Sequence, residues 1–274
     1  MSPLEFTLTL LGISVGAGFL GSLGGGVVVV PAVTLLYGID IRYAIGASIV
    51  SVIATSSGAA AAYVKERLTN LRVAMLLELG TTTGAVSGAF IAGIIHSRWL
   101  FVIFGLALAF SGVAMLRRSQ RRREAVPPDR WADRLRLHGS YFDEVRGREV
   151  AYRVTHTRLG LFLMYIAGLI SGLLGIGSGV FKVPAMDLGM RIPIKVSSAT
   201  SNFMIGVTAA ASAGVYFVRG DIDPFIAAPV ATGVVMGALA GSRVLPRTDS
   251  RLLRLVFVLV LLVISVQMVW KGLR

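Results

Sequence analysis

The chain contains no cysteine, so it has no disulfide framework, no thiol nucleophile and no thiolate-bound metal. Charge is scarce as well: Asp, Glu, Lys and Arg make up 15% of its 274 residues, against roughly 25% in a soluble globular domain. Acidic residues are scarcest, with 14 Asp and Glu against 27 Lys and Arg. The three histidines, His96, His138 and His156, fall in or beside expected loops, and none pairs at metal-ligand spacing. HExxH, GxSxG, Walker and strand–GxGxxG–helix arrangements are missing. Hydrolase and metalloenzyme readings have nothing to rest on, and no catalytic residue, metal or cofactor is expected. The opening MSPLEF also lacks the basic n-region and cleavage site of a signal peptide, so the N-terminus is expected to stay as part of the first membrane segment.

What the chain has instead is apolar surface. AVILMFWYC supply 55% of it, 32 glycines add to that, and the mean hydropathy is +0.76. A soluble fold of this size leaves roughly a quarter of its unfolded-chain area in water, too much for this composition to tolerate. The sequence is that of an all-α polytopic membrane protein. The net charge of +13 does not point to nucleic acid. Between Arg117 and Arg158 there are 12 Arg and 6 Asp or Glu, a net +6 in one polar block, and the other +7 sits at the ends of apolar runs. Basic residues there report membrane orientation.

Charge-free windows mark the expected membrane segments: Phe6–Tyr37, Tyr43–Val64, Trp99–Met115, Leu159–Phe181, Val196–Val218, Pro224–Ser242 and Leu255–Trp270. Val73–Ile95 joins them with one charge, Glu78. About 20 residues cross the hydrocarbon core as a helix, so six of these are ordinary spans. Phe6–Tyr37, however, holds 32 residues, and the window from Leu159 continues to about Gly189. A straight helix of the first length would run about 48 Å. Each of the two carries a glycine cluster, Gly21 to Gly26 and Gly175 to Gly179, followed by Pro31 and Pro184. Glycine clusters interrupt helices. Each window is predicted to be two shorter helices joined inside the bilayer, the second beginning near Val27 and near Val180.

The two windows open two copies of one pattern. An offset of 153 matches Pro31 with Pro184, Ser48 with Ser201 and Tyr63 with Tyr216. It also matches Gly80, Gly84 and Gly88 with Gly233, Gly237 and Gly241, then Arg98 with Arg251 and Phe104 with Phe257. One inserted residue before the prolines brings Gly18 and Gly21 onto Gly172 and Gly175. Chance does not hold an ungapped register that long, so the chain is an internal duplication. Its parts read as a first membrane repeat (1–116), a basic cytoplasmic linker (117–157) and a second membrane repeat (158–274).

Basic loops stay cytoplasmic. The linker is therefore inside, and so is the Lys65–Arg72 turn. In the second copy the equivalent turn, Arg219 to Asp223, is net acidic, and the basic turn is the next one, Arg243 to Arg254. A bias that swaps between equivalent loops is what inversion produces. It requires each broken window to enter and leave on one side, giving two inverted repeats of about five segments, ten in all, with both termini outside. Eight spans in parallel repeats is the alternative. Within the linker, Arg117–Asp133 is expected to be flexible, and Ser140–Val154 to form a small β-hairpin around Arg146-Gly147. That hairpin is either a regulatory contact or a solvated connector drawn to anionic lipid.

Irregular backbone inside a bilayer must face protein or a water-filled cavity, and paired broken helices in two repeats mark a midplane substrate site in secondary transporters. The first turns of the helices after each break present free N–H groups suited to an anion. Gly24, Gly25, Gly26, Gly177, Ser178 and Gly179 are accordingly candidates to line an anion cradle, with Gly21, Pro31, Gly175 and Pro184 as its hinges. Ser48, Ser51, Thr200, Ser201 and Asn202 on the next segments either donate to ligand oxygens or bond between helices. The Gly80/84/88 and Gly233/237/241 ladders read as helix packing. Charges at membrane depth are costly and need a partner or a role. Lys182 either compensates substrate charge or snorkels to the interface, Glu78 either carries a coupling proton or pairs near the interface, and Asp187 is expected near Lys182 or Arg191. Trp99 and Trp270 read as interface anchors.

Gly21-x-x-Gly-Gly-Gly26-x4-Pro31, repeated as Gly175-x-Gly-Ser-Gly179-x4-Pro184, resembles the TauE/SafE sulfite exporter family, as do Gly46-Ala-Ser48 and Ala199-Thr-Ser201. The resemblance covers nearly the whole chain outside the linker. It implies a prokaryotic inner-membrane transporter of sulfite, organosulfonates or related small anions, built from inverted repeats. Ser178 and Ala47 depart from the pattern, at positions where the family often has Gly and Thr. The resulting expectation is a secondary transporter, an exporter, of a small anion by alternating access, partnered by its substrate, the bilayer and a coupling proton, with no nucleic acid. An anion-selective channel is one alternative, and a non-transport scaffold acting through the linker is the other.

Overall fold

The computed structural model describes residues 3–21, 27–65, 69–116, 129–143, 147–177, 179–244 and 250–274. The order is α1 (Pro3–Gly21), α2 (Val29–Tyr37), α3 (Ile41–Lys65), α4 (Leu71–Ile94), α5 (Ser97–Leu116), α6 (Arg130–Arg134), β1 (Gly139–Asp143) and β2 (Arg148–Tyr152). It continues with α7 (Thr157–Leu174), α8 (Gly179–Pro184), a π-helical turn (Ala185–Gly189), α9 (Ile194–Val218), α10 (Pro224–Val244) and α11 (Ser250–Leu273). Among the described residues, four helical segments are long and apolar enough to cross a membrane: Leu71–Ile94, Thr157–Leu174, Ile194–Val218 and Pro224–Gly241. Shorter apolar stretches lie at Leu4–Phe19, Ile41–Ser57, Ser97–Val113 and Val258–Leu273. Bulky apolar side chains such as Leu79, Phe90, Leu106, Phe162 and Phe225 face outward, a surface suited to lipid and not to water. Trp99 and Trp270 are exposed at helix ends.

Both long apolar windows break where their glycines cluster. α7 stops at Gly175, whose φ of +64° is left-handed and whose N–H bonds Ser171 O at 2.8 Å. α2 and α8 begin at Val29 and Gly179, within two residues of the expected positions. Gly24, Gly25, Gly26 and Ser178 lie outside the described residues, and Gly21 is the last residue of α1. Pro31 stands in the first turn of α2, where its missing N–H breaks no helix bond. Pro184 closes α8 and leads into the π-helical turn.

Each window doubles back on itself. Phe6, near the start of the first, packs edge-on against Tyr37 at its end, ring centroids 5.7 Å apart. At the second, Thr155 N donates to Met190 O at 3.1 Å, and the Met190 side chain rests against Gly160. The helices that follow repeat at one interval: α3, α4 and α5 begin at residues 41, 71 and 97, and α9, α10 and α11 at 194, 224 and 250. Arg42, at the start of α3, donates to Ile95 O beyond the end of α4 at 3.0 Å. Thr200, in the second turn of α9, accepts from Asn70 N ahead of α4 at 3.1 Å. α3 and α9 therefore set out from opposite ends of α4.

Packing pairs α4 with α7 and α1 with α10, α5 with α11, and α3 with α9. Glycine allows the closest approaches. A Cβ on Gly84 would lie 2.1 Å from Tyr165 O, and one on Gly237 would lie 2.0 Å from Val15 O, so the ladders do serve packing. These contacts also correct the register read from the sequence. Gly18 meets Val234 as Gly168 meets Thr81, so Gly18 corresponds to Gly168 and not to Gly172, one helical turn away.

Of the stretch expected to be flexible, residues 117–128 lie outside the described residues, and the part from Asp129 onward is ordered. Asp129 Oδ1 accepts from Trp131 N at 2.9 Å and starts α6 inside the stretch expected to be flexible. β1 and β2 form the expected antiparallel hairpin, with Gly139 opposite Tyr152 and Asp143 opposite Arg148. Ala132, Leu137, Tyr141, Tyr152 and Val154 join Val73, Leu77, Met190 and Val196 in one buried cluster, seating the hairpin on α4 and α9.

Candidate functional site

On α4, Glu78 is followed by Thr81 and Thr82, three and four residues on and so on one face of the helix. α8 carries Lys182 three residues after its start, and α9 carries Thr208 two turns beyond Ser201. These elements meet. Lys182 is fully buried, at 0% exposure, so it does not snorkel. Its Nζ donates to Thr208 Oγ1 at 2.6 Å. Thr208 in turn donates to Glu78 Oε1 at 2.7 Å, and Thr82 Oγ1 donates to the same oxygen at 3.0 Å. Lys182 Nζ lies 4.0 Å from Glu78 Oε2, an oxygen that is buried without a hydrogen-bond partner among the described residues. Burying either charge alone would be costly, and together they are neutral. The Glu78 side chain keeps 14% exposure, and Lys182 keeps none.

The break beside this cluster uses its carbonyls within the protein. Ser48 Oγ donates to Gly175 O at 2.8 Å and Ser171 Oγ to Ile176 O at 2.6 Å. The Tyr216 hydroxyl donates to Gly172 O at 2.8 Å, closing the end of α7. The carbonyls of Gly172, Gly175 and Ile176 are therefore each satisfied. Ser201 differs: its Oγ is buried and has no hydrogen-bond partner among the described residues. It lies against Gly179, where an added Cβ would stand 3.6 Å from it.

Among the sequence-derived candidates, the structure thus brings Gly175, Gly179, Ser48, Ser201, Lys182 and Glu78 to one region, with Gly177 buried in the break. Ser51 bonds back to Ser48 O at 2.7 Å, and Thr200 holds Asn70 N, so both are engaged in holding the bundle. Asn202 is half-buried on α9. Sequence reasoning did not single out Thr208, Thr81, Thr82 or Tyr216. The spacing of Glu78, Thr81 and Thr82 was a usable signal, as was the Tyr63–Tyr216 repeat of a polar ring at membrane depth. Among the described residues no three of His, Asp and Glu gather to hold a metal. A shallow hollow of about 440 Å³ at the linker end of α7 is lined by Asp129, Arg130, Trp131, His156 and Arg158, well away in the chain from this cluster, and its carboxylate is already bound to Thr157.

The family model described as "Sulfite exporter TauE/SafE" matches residues 9–268. The chain belongs to the TauE/SafE family. It is 25% identical over 273 residues to "Probable membrane transporter protein YunE" of Bacillus subtilis (strain 168), with 97% of each chain covered. It is 26% identical over 276 residues to a "Probable membrane transporter protein" of Xylella fastidiosa (strain 9a5c), again with 97% of each covered. No solved structure matches at a significant level. This TauE/SafE chain is a multi-pass membrane transporter, and Glu78, Lys182 and Thr208 all lie inside the matched span.

Proposed function

We propose that the chain is a secondary transporter that exports a small anion, of the sulfite or organosulfonate class, across the prokaryotic plasma membrane by alternating access. The observation that carries this reading is α8 itself: it starts at Gly179 against the unsatisfied Ser201 hydroxyl and carries, one turn on, the fully buried Lys182 ammonium bonded to Thr208. A cation and a donor at a helix break fit a small oxyanion better than a cation or an apolar solute. Glu78, linked to Lys182 through Thr208, is the proton carrier in this reading. Support for two inverted repeats of five segments comes from the doubled-back windows, the common interval of 153 and the opposite starts of α3 and α9. With the basic linker on the cytoplasmic side, the anion site lies between the repeats.

Flux of labelled sulfite into proteoliposomes holding the purified protein tests this. The expected result is saturable uptake with counterflow driven by unlabelled sulfite or an organosulfonate. Everted membrane vesicles given an inward anion gradient, which would take up the anion until that gradient is spent, test the outward direction. Linear, non-saturating flux without counterflow would assign a channel, and no flux of any of these anions would remove the substrate class.

A further inference from the structure

The transporter reading leaves open how a buried lysine already facing a glutamate can serve an anion. Lys182 Nζ engages the Thr208 hydroxyl, which donates its own hydrogen bond to Glu78 Oε1, and the ammonium lies 4.0 Å from Oε2. Glu78 therefore holds Lys182 partly through a threonine bridge, with one carboxylate oxygen left without a hydrogen bond among the described residues. Resting on that reading, we propose that Lys182 is shared: Glu78 holds it in the empty site, the transported anion takes it in the filled site, and Glu78 then binds one proton.

Charge balance requires that proton. The empty site holds one positive and one negative charge. A monovalent anion placed at Lys182 makes the buried sum −1, and one proton on the Glu78 carboxylate returns it to zero. A carboxylate stripped of its counter-ion in a poorly hydrated site is more cheaply neutralised than left charged. No other described group stands in for Lys182. Of the titratable side chains on the helices packed there, Arg72 on α4, Arg158 and Tyr165 on α7 and Lys195 on α9 are exposed, Asp187 in the π-helical turn is partly so, and Tyr216 on α9 is buried with its hydroxyl on Gly172 O. The site also occurs once. At an offset of 153 the partners of Lys182 and Glu78 are Val29 and Ala231, whereas Thr208 matches Thr55. One site means one anion and one proton per cycle, an electroneutral passage of a monovalent anion whose rate does not follow the membrane potential and whose outward direction is set by the anion's own concentration gradient.

The test is calorimetric titration of the detergent-purified, full-length protein near pH 7 with methanesulfonate and isethionate, anions that carry no titrating proton of their own. Repeating each titration in buffers of different ionisation enthalpy reads the protons exchanged. Wild-type protein is expected to take up about one proton per anion bound. Glu78→Gln is expected to bind the same anion at least as tightly with no proton uptake, since glutamine does not compete for Lys182. Wild-type binding without proton uptake overturns the shared-lysine inference and leaves the anion-transporter reading standing. Loss of binding in a Glu78→Gln protein that stays monodisperse overturns it too, because Glu78 would then be part of the anion site itself. No binding of either sulfonate to wild-type protein that transports sulfite overturns the inference for sulfonates, and sulfonates leave the substrate class.

Discussion

Asn70 donates through Nδ2 to the Tyr152 hydroxyl at 2.7 Å, tying the turn ahead of α4 to the last residue of the linker hairpin. The same side chain donates to Leu137 O at 3.0 Å and accepts from Val73 N at 3.1 Å, capping α4. Asn70→Ala removes a helix cap and two linker bonds at once, one of them to the hairpin, an expected loss of about 2–3 kcal/mol. Tyr152→Phe removes one bond and should cost about 1 kcal/mol. Thermal unfolding in detergent ranks the two, and equal losses would mean that the cap carries no weight.

The linker should also come loose in acid. Burial works against ionising Asp129, but Thr157 N and Oγ1, both at 2.7 Å, together with Trp131 N and Ala132 N, hold its carboxyl below the ordinary 3.8. A carboxyl depressed in the folded state adds stability that is present above 3.8 and lost as pH falls below it. At Tyr152 burial prevails instead, raising its hydroxyl above the ordinary 10.0 against the Asn70 bond, so hairpin attachment weakens as pH rises past 10. Trp131 fluorescence, read in a Trp99→Phe/Trp270→Phe background, should stay constant between these limits and shift beyond each. An Asp129→Asn protein should lose the acid transition alone.

Gly84 and Gly16 separate packing glycines from free ones. A Cβ on Gly84 would meet Tyr165 O at 2.1 Å, whereas one on Gly16 would meet nothing within 4 Å. Gly84→Val should force α4 from α7 and lower stability by about 3 kcal/mol. Gly16→Ala should leave stability at or above wild type, since alanine is the better helix former. Fluorescence-detected size exclusion after heating measures both, and a tolerant Gly84→Val would remove close packing as the reason for the ladder.

Periodic features were legible in the sequence because they depend on many residues at once. Apolar windows, the interval of 153 from Pro31 to Phe104 and the hairpin around Gly147 all survive the loss of any single residue. The one-turn error between Gly18 and Gly172 arose where the register rests on two or three glycines, and in a glycine-rich helix a shift of four residues finds another glycine. α6 was hidden for a different reason: five residues starting at an Asp cap carry too little periodicity to stand out in a basic linker. Lys182 and Glu78 were visible as costly charges, but their partnership was not, because it is made across α8, α9 and α4 by the Thr208 hydroxyl. A threonine at membrane depth is by itself an ordinary back-bonding residue, and only the fold brings it between two charges.

The Lys182–Glu78 pair yields a stability test independent of transport. Lys182→Met leaves Glu78 buried beside Thr208 without a counter-ion, and Glu78→Gln leaves the ammonium in the same position. Breaking a buried pair at one end costs about 3–5 kcal/mol, whereas replacing both ends is far milder. The Lys182→Met/Glu78→Gln double variant should therefore unfold at a higher temperature than Lys182→Met alone. Additive losses in that cycle would mean that the two charges do not interact in the folded protein.

Gly179 stands at the start of α8 against Ser201 Oγ and the Ile205 side chain, where an added Cβ would lie 3.6 Å and 3.0 Å away. One methyl group at that distance asks Ile205 to give by a few tenths of an ångström, so Gly179→Ala should retain most of the sulfite flux. A leucine side chain must instead occupy the volume in front of Ser201, which the proposed anion needs. Gly179→Leu should therefore insert into the membrane and elute as wild type while its proteoliposome flux falls at least tenfold, a loss of about 1.4 kcal/mol or more in transition-state stabilisation. Equal flux in the two variants would place the anion path away from the α7–α8 break, and a misfolded Gly179→Leu would be recognised by its elution before any flux is read.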